Sequence, residues 1–144
     1  MIYRATEEHA VIVAQLAIRM WDDNEPEELT QEFRELLSGD ASAVFLLSVD
    51  GQNVGFAQCQ LRHDYVEGTE SSPVGYLEGI FICEPYRRKG LAQELLANCE
   101  AWAREKGCTE FASDFELDNI SSYKFHLGMG FEEANKIVCF TKKL

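Results

Sequence analysis

Hydrophobic residues recur along the chain with two different periods, and these periods predict both helices and strands. The alternation over Ile2–Arg4 predicts a short strand. Thr6 is a candidate N-cap for a helix whose apolar residues recur at helical spacing over 12–20. A second helix is predicted from Pro26, which suits a first helical turn, to Gly39, which closes the segment.

The middle of the chain carries patterns typical of strands. The apolar runs 44–49 and 54–61 flank the turn dipeptide Asp50-Gly51, which predicts a hairpin. A third strand is predicted for Val74–Ile82, where two glycines interrupt the apolar residues. A glycine inside a strand often marks a bulge or the close approach of a ligand or another backbone.

The last third of the chain predicts further helices and strands. Leucines, a cysteine and a tryptophan at helical spacing follow Pro85 and predict a helix that stops at Gly107. A strand over 109–113, a short helix over 119–127 and a last strand over 137–141 complete the pattern. Residues 1–144 therefore predict one domain of mixed α and β, with one strand-helix-strand unit whose two strands run parallel.

Composition and charge narrow the classes of function. The chain has 25 Asp plus Glu against 13 Lys plus Arg, a formal charge of −12, and 46% hydrophobic residues. This acidic balance disfavours nucleic acid as a partner and favours cationic ones. No apolar run approaches the ~18 residues of a membrane span, and the first residues lack the features of a secretory signal. We expect a cytoplasmic protein without a membrane partner.

The cysteine pattern indicates neither a disulfide framework nor a metal site. The chain has five cysteines, an odd number, and none forms a C-x-x-C pair. We therefore expect no metal, and reduced cysteines that serve as small core or surface residues.

A basic stretch before the third helix is the first candidate for binding chemistry. Arg87, Arg88 and Lys89 stand side by side in a chain that is otherwise strongly acidic. A helix start exposes unpaired N–H groups, and Gly90 and Ala92 leave room for an anion to approach them. The stretch fits a pyrophosphate cradle, and it also fits a solvated basic turn before a surface helix.

The pattern Arg87-x-x-Gly90-x-Ala92 resembles the acetyl-CoA loop of the GCN5-related N-acetyltransferases (GNAT). A second motif is similar to a later signature of that family: Asn119-x-x-Ser122-x-x-x-His126-x-x-x-Gly130-Phe131. The order of predicted elements also agrees over essentially the whole chain. The resemblance implies the GNAT fold, of α+β class: a central mixed, mostly antiparallel sheet with helices on both faces and one parallel β-α-β unit splayed around the cofactor.

A narrower resemblance points to an acceptor. The segments 63–66, 71–73, 77–81 and 112–114, with the short helix that carries His126, look like the aminoglycoside 6'-N-acetyltransferases of bacterial resistance. This implies acetyl transfer from acetyl-CoA to the 6'-amine of a cationic aminoglycoside, and by analogy a homodimer.

The resemblance also implies a set of site residues. The implied acceptor contacts are Trp21, Asn24, Tyr65, Glu78, Asp114 and Asn135. The implied acetyl-CoA contacts are Ile80, Phe81, Ile82, Arg87, Arg88, Lys89, Gly90, Leu91, Ala92, Gln93 and Asn119. Two positions depart from the family pattern. His126 stands where the wider superfamily often has a tyrosine that protonates the leaving thiolate, and Asn135 stands where some members carry an acidic acceptor contact.

The residues themselves suggest how such a site works. Glu78 interrupts the apolar run of a central strand, so its carboxylate needs a partner or a cleft. Asp114 ends the neighbouring strand, on the side where ligands bind open sheets. We expect Glu78 to take the proton of the amine, directly or through water, with a backbone N–H of 80–82 facing the oxyanion and His126 serving the departing thiolate. An amine needs no covalent enzyme intermediate.

Two other functions fit the same residues. One is acetyl transfer to another small cationic amine, such as a polyamine. The other is a non-catalytic acyl-CoA-binding sensor that keeps the fold. The presence of all four implied acceptor contacts favours acetyl transfer to an aminoglycoside over both alternatives: Trp21, Tyr65, Glu78 and Asp114.

Overall fold

Five strands and four α-helices follow one another in the computed structural model, which describes residues 1–144. In chain order they are β1 (Ile2–Arg4), α1 (Ala10–Ala17), α2 (Pro26–Ser38), β2 (Ser42–Val49), β3 (Gln52–Arg62), β4 (Val74–Ile82), α3 (Leu91–Glu105), β5 (Phe111–Ser113) and α4 (Ile120–Gly128). Short 3-10 turns at Glu7–His9 and Glu84–Tyr86 precede α1 and α3. None of the helices is long and apolar enough to cross a membrane.

The strands form one mixed sheet in the order β1-β2-β3-β4-β5. The first three pairings are antiparallel, and β4 and β5, which flank α3, are parallel. This confirms the predicted fold class and the strand-helix-strand unit. The parallel pairing covers only Gly75 to Leu77 on β4, so the stretch 78–82 of this strand has no partner on its β5 side.

Two hydrophobic layers cover the sheet, which explains why its strands read as continuous apolar runs. On β2, the alternate residues Ala43, Phe45 and Leu47 face α3, whereas Val44 and Leu46 face α1 and α2. Side chains of a strand point alternately to the two faces, so a strand buried on both faces has apolar residues throughout. Residues of β4 pack into both layers, Leu77 and Ile82 with α3 and Phe81 with α1 and α2.

A β-bulge lies in β4 at the position of its only carboxylate. Gln58 of β3 pairs with Gly79 and Cys59 pairs with Leu77, which leaves Glu78 without a partner as the extra residue. A bulge bends a strand and re-aims the side chain it carries. The neighbouring glycine serves close packing, because a Cβ at Gly79 would lie 2.7 Å from the Trp21 ring.

The prediction of a last strand over 137–141 is wrong. Residues beyond α4 form no regular secondary structure, and Ile137, Val138 and Phe140 are 67%, 79% and 90% exposed. A strand needs a partner for its backbone hydrogen bonds, and this segment has none within the chain. The apolar run alone was therefore insufficient to predict a strand.

Candidate active site

Glu78 is held by an arginine at the bulge. Both Nε and Nη2 of Arg62, the last residue of β3, donate to Oε1 of Glu78, at 3.2 and 2.8 Å. The guanidinium also stacks on Tyr76, with its carbon 3.4 Å from the ring centroid. The carboxylate is partly buried, and its charge is compensated by this pair. Glu78 thus has the partner that a carboxylate in a central strand requires.

The same tyrosine reaches the second predicted acceptor carboxylate. The hydroxyl of the buried Tyr76 donates a hydrogen bond to Oδ2 of Asp114, which follows β5. Burial of the phenol, reinforced by this hydrogen bond, raises the pKa of Tyr76, so the hydroxyl stays protonated and remains a donor. Glu78, Arg62, Tyr76 and Asp114 therefore form one connected polar network.

An open groove of about 1480 Å³ lies beside this network, between the β5 edge, α4 and the segment beyond it. Its lining brings together Arg62, Tyr65, Tyr76, Asp114, His126 and Asn135. Tyr65 is exposed on the loop after β3, and Asn135 donates to Glu67 of the same loop at 3.1 Å. Glu78 does not line the groove itself, but it contacts Arg62, which does.

Trp21 and Asn24 do not line the groove. The Trp21 ring packs against Gly79, next to the bulge, and makes an edge-to-face contact with Phe56 at 6.1 Å. Asn24 is exposed and donates to the Trp21 carbonyl at 3.1 Å. Trp21 thus has one face in the core and is only partly buried, which leaves part of the ring free to contact a ligand.

His126 of α4 is buried with both ring nitrogens engaged. Nδ1 lies 2.7 Å from the Ser122 carbonyl, which only accepts, so Nδ1 carries a proton. Nε2 lies 2.8 Å from Oγ of Ser113, at the end of β5. The ring packs against Phe115, Phe125 and Phe131. The histidine lines the groove together with Ser113, whose hydroxyl it contacts.

The basic stretch before α3 has the geometry of an anion cradle. Arg88 and Gly90 both adopt positive φ, 61° and 77°, and alternating backbone handedness turns successive N–H groups to one side. Gly90 is also the N-cap of α3, and no atom lies within 4 Å of the position its Cβ would take. Arg87 holds the stretch to β4, because its Nε donates to the Ile82 carbonyl at 2.6 Å.

The other predicted cofactor residues fall around this cradle and at α4. Lys89 lies over the Tyr86 ring, Leu91 and Ala92 pack partly into the core, and Gln93 is exposed. The backbone of Ile80, Phe81 and Ile82 forms the unpaired β4 edge. Asn119 caps α4, since its Oδ1 accepts from the Ser122 N–H at 3.1 Å.

The cysteines and carboxylates form no alternative centre. All five cysteines are free; Cys59, Cys99 and Cys108 are buried, Cys83 is partly exposed and Cys139 is exposed. Burial raises the pKa of Cys108, which keeps this thiol protonated. No three His, Cys, Asp or Glu side chains lie close enough together to hold a metal ion.

The sequence that forms this site matches the model of a known family. The chain fits the acetyltransferase (GNAT) family over residues 10–131, from the start of α1 to just beyond α4. The chain belongs to the GNAT acetyltransferase family. This confirms the resemblance seen in the Arg87 and Asn119 motifs.

This GNAT chain is similar along nearly its whole length to aminoglycoside acetyltransferases. It is 44% identical over 146 residues to the aminoglycoside N(6')-acetyltransferase type 1 of Stenotrophomonas maltophilia, covering 99% of this chain and 93% of that one. It is 42% identical over 130 residues to the protein of the same name from Acinetobacter haemolyticus, covering 90% and 89%. The solved structure of AAC(6')-Iy with the bisubstrate analogue CoA-S-monomethyl-acetylneamine superimposes with a TM-score of 0.95 at 35% identity, over 100% of this chain and 98% of that one.

Three residues of the candidate site were not predicted from the sequence. Arg62 and Tyr76 join the two carboxylates, and Ser113 contacts His126 at the groove. Tyr76 stands two residues before Glu78, a spacing that places both on one strand face in a regular strand, and this was the available signal. For Arg62 the sequence offered no signal, because eleven residues separate β3 from β4 and the sequence does not show which residues of the two strands pair.

Proposed function

We propose that this GNAT acetyltransferase transfers the acetyl group of acetyl-CoA to the 6'-amino group of aminoglycosides, an activity that gives resistance to these antibiotics. The observation that carries the proposal is the network joining Glu78 to Asp114 beside an open groove. Aminoglycosides are polycations at neutral pH, and carboxylates backed by an apolar sheet attract cations. Relatives at about 40% identity bear the name aminoglycoside N(6')-acetyltransferase, which supports the same assignment.

The cradle before α3 fits the pyrophosphate of acetyl-CoA. Gly90 and Arg88 present backbone N–H groups at a helix start, and Arg88 and Lys89 add positive charge. From the cradle, the unpaired edge of β4 runs from Ile82 back to Glu78, a span of about 13 Å at the usual rise per strand residue. We assign residues 80–82 to contacts with an extended thioester arm, with no metal involved. Bound there, acetyl-CoA supplies the activated acetyl group.

The chain's own groups then serve the attack of the amine. Glu78 accepts the proton that the ammonium group must lose, directly or through a water molecule. A backbone N–H of the open β4 edge stabilises the developing oxyanion. For the departing thiolate we assign a relay in which the Ser113 hydroxyl gives its proton to the sulfur and a proton on Nε2 of His126 replaces it. An amine is nucleophilic once neutral, so none of the cysteines acts as a nucleophile.

Replacement of Gly90 is expected to weaken acetyl-CoA binding. Gly90→Val places a branched side chain where φ is 77°, a left-handed conformation that costs such residues ~1–2 kcal/mol. The loop of the free variant should therefore relax to another conformation, and because CoA binding must restore this one, the affinity should fall about tenfold. Calorimetric titration with CoA measures this loss. Gly107→Val is the matched control, since Gly107 has φ 89° with open space around it at the other end of α3. Equal CoA affinity of both folded variants would remove the loop from the site.

Replacement of His126 is expected to slow turnover. His126→Phe keeps the packing against three phenylalanines and removes both ring nitrogens. We expect kcat to fall about tenfold, below the usual range for a general acid because a thiolate is a good leaving group. Steady-state kinetics from pH 6 to 9 measure the fall in kcat, and the melting temperature measures whether the packing is preserved. A variant with wild-type turnover across this range would assign the histidine to packing alone.

The acceptor class is tested by thiol release from acetyl-CoA with kanamycin, with spermidine, and with no acceptor. We expect release with kanamycin only. Equal or faster release with spermidine would favour a polyamine-type acceptor, and CoA binding without release under any condition would favour an acyl-CoA sensor.

We further propose a cytoplasmic homodimer built from one domain per chain, 1–144. The exposed apolar residues Ile137, Val138 and Phe140 support the dimer, because they follow the pattern of a strand and lack a partner within the chain. β5 is the last strand of the sheet, so its outer edge is free to pair. Sedimentation equilibrium of the wild-type chain measures the oligomeric state.

A further inference from the structure

The network that joins Glu78 and Asp114 engages one oxygen of each carboxylate and leaves the other open. Both donors of Arg62 converge on Oε1 of Glu78, and Tyr76 donates to Oδ2 of Asp114. No group of the chain donates to Oε2 of Glu78 or to Oδ1 of Asp114. Each carboxylate is therefore fixed in place and still able to accept a hydrogen bond.

We propose that Arg62 and Tyr76 are positioning residues, which hold Glu78 and Asp114 so that Oε2 and Oδ1 face the ammonium groups of the acceptor. This assignment rests on the proposed function, and it names the residues that orient the two carboxylates of the acceptor site. Arg62 acts through Glu78, and Tyr76 acts through Asp114.

The contacts explain why these two residue types stand here. The guanidinium is planar, so it lies flat on the Tyr76 ring at 3.4 Å while its edge donates twice to Glu78. A lysine keeps the charge but neither stacks in this way nor offers two donors in a fixed fork. Tyr76 is thus both the platform for Arg62 and the donor to Asp114, and it links the positions of the two carboxylates.

A competing explanation is that Arg62 only occupies the place of the acceptor's ammonium group. In that case its removal would free Glu78 and lower the KM for the acceptor. In the positioning role its removal lets the Glu78 side chain rotate away from the amine, so kcat falls and the acceptor KM does not decrease. The two explanations predict opposite changes.

The test is a pair of double-mutant cycles with kanamycin as acceptor. Arg62→Met should lower kcat about tenfold in the wild-type background and by less than about twofold in the Glu78→Gln background. Tyr76→Phe should raise the acceptor KM about fivefold in the wild-type background and by less than about twofold in the Asp114→Asn background. The KM for acetyl-CoA should stay unchanged throughout.

Controls separate positioning from folding. Arg62→Lys should recover part of the kcat lost in Arg62→Met. It also serves as the test variant if Arg62→Met has a lower melting temperature than the wild type. Arg34→Met, at an exposed position of α2, should match the wild type. Losses that add fully in the Glu78→Gln background, or a lower acceptor KM in Arg62→Met, would overturn the assignment while the proposed function stands. A wild type that acetylates no aminoglycoside would overturn both.

Discussion

Glu78→Gln is expected to lower kcat roughly 10²-fold, the usual loss when a general base is removed. The amide keeps the size of the side chain, and its oxygen still accepts from Arg62, so the bulge in β4 is preserved. It takes up no proton, and the ammonium group of the acceptor then stays protonated. Steady-state kinetics with kanamycin at saturating acetyl-CoA measure the loss.

Two further measurements test whether the fall in kcat comes from the Glu78 carboxylate alone. The CoA affinity of Glu78→Gln should equal that of the wild type, because the cradle at Gly90 is untouched. Glu105→Gln, the same change at the exposed end of α3, should leave kcat unchanged. Wild-type turnover in Glu78→Gln would exclude this carboxylate as the base.

Asp114→Asn is expected to act on acceptor binding more than on chemistry. An ion pair with an ammonium group becomes a neutral hydrogen bond, which costs about 1–3 kcal/mol, or about ten- to a hundredfold in affinity. The acceptor KM should rise accordingly while kcat changes little. The difference between wild type and variant should shrink at high salt, because salt screens the charge that the variant lacks.

The control for this substitution is Asp50→Asn. It removes the same charge in the β2–β3 turn, where φ is 50° and asparagine is well tolerated. Its acceptor KM should match that of the wild type at low and at high salt. Equal kinetics of Asp114→Asn and the wild type at limiting acceptor would place the acceptor elsewhere.

The helices and strands of the central sheet were predictable because their signals are local. Pro26 begins α2 and the Asp50-Gly51 turn joins β2 to β3, as the residue types of these positions indicate. The helix after Pro85 begins only at Leu91, because Glu84–Tyr86 forms a 3-10 turn of its own. Periodicity and turn chemistry depend on neighbouring residues, which the sequence displays directly.

The polar network was not predictable in the same way. Glu78 was recognised as a carboxylate that needs a partner, but the partner is Arg62, sixteen residues away across a bulged pairing. A bulge shifts the register, and register decides which side chains meet. The failed strand over 137–141 has a related cause, since its pattern predicts pairing without showing a partner.

Mass spectrometry of products from neomycin and paromomycin, which differ only in an amine or a hydroxyl at C6', tests the central claim most directly. With the wild-type chain and acetyl-CoA, the account predicts one acetyl group on neomycin and none on paromomycin. Acetylation of both at similar rates, or of neither, would contradict transfer to the 6'-amine.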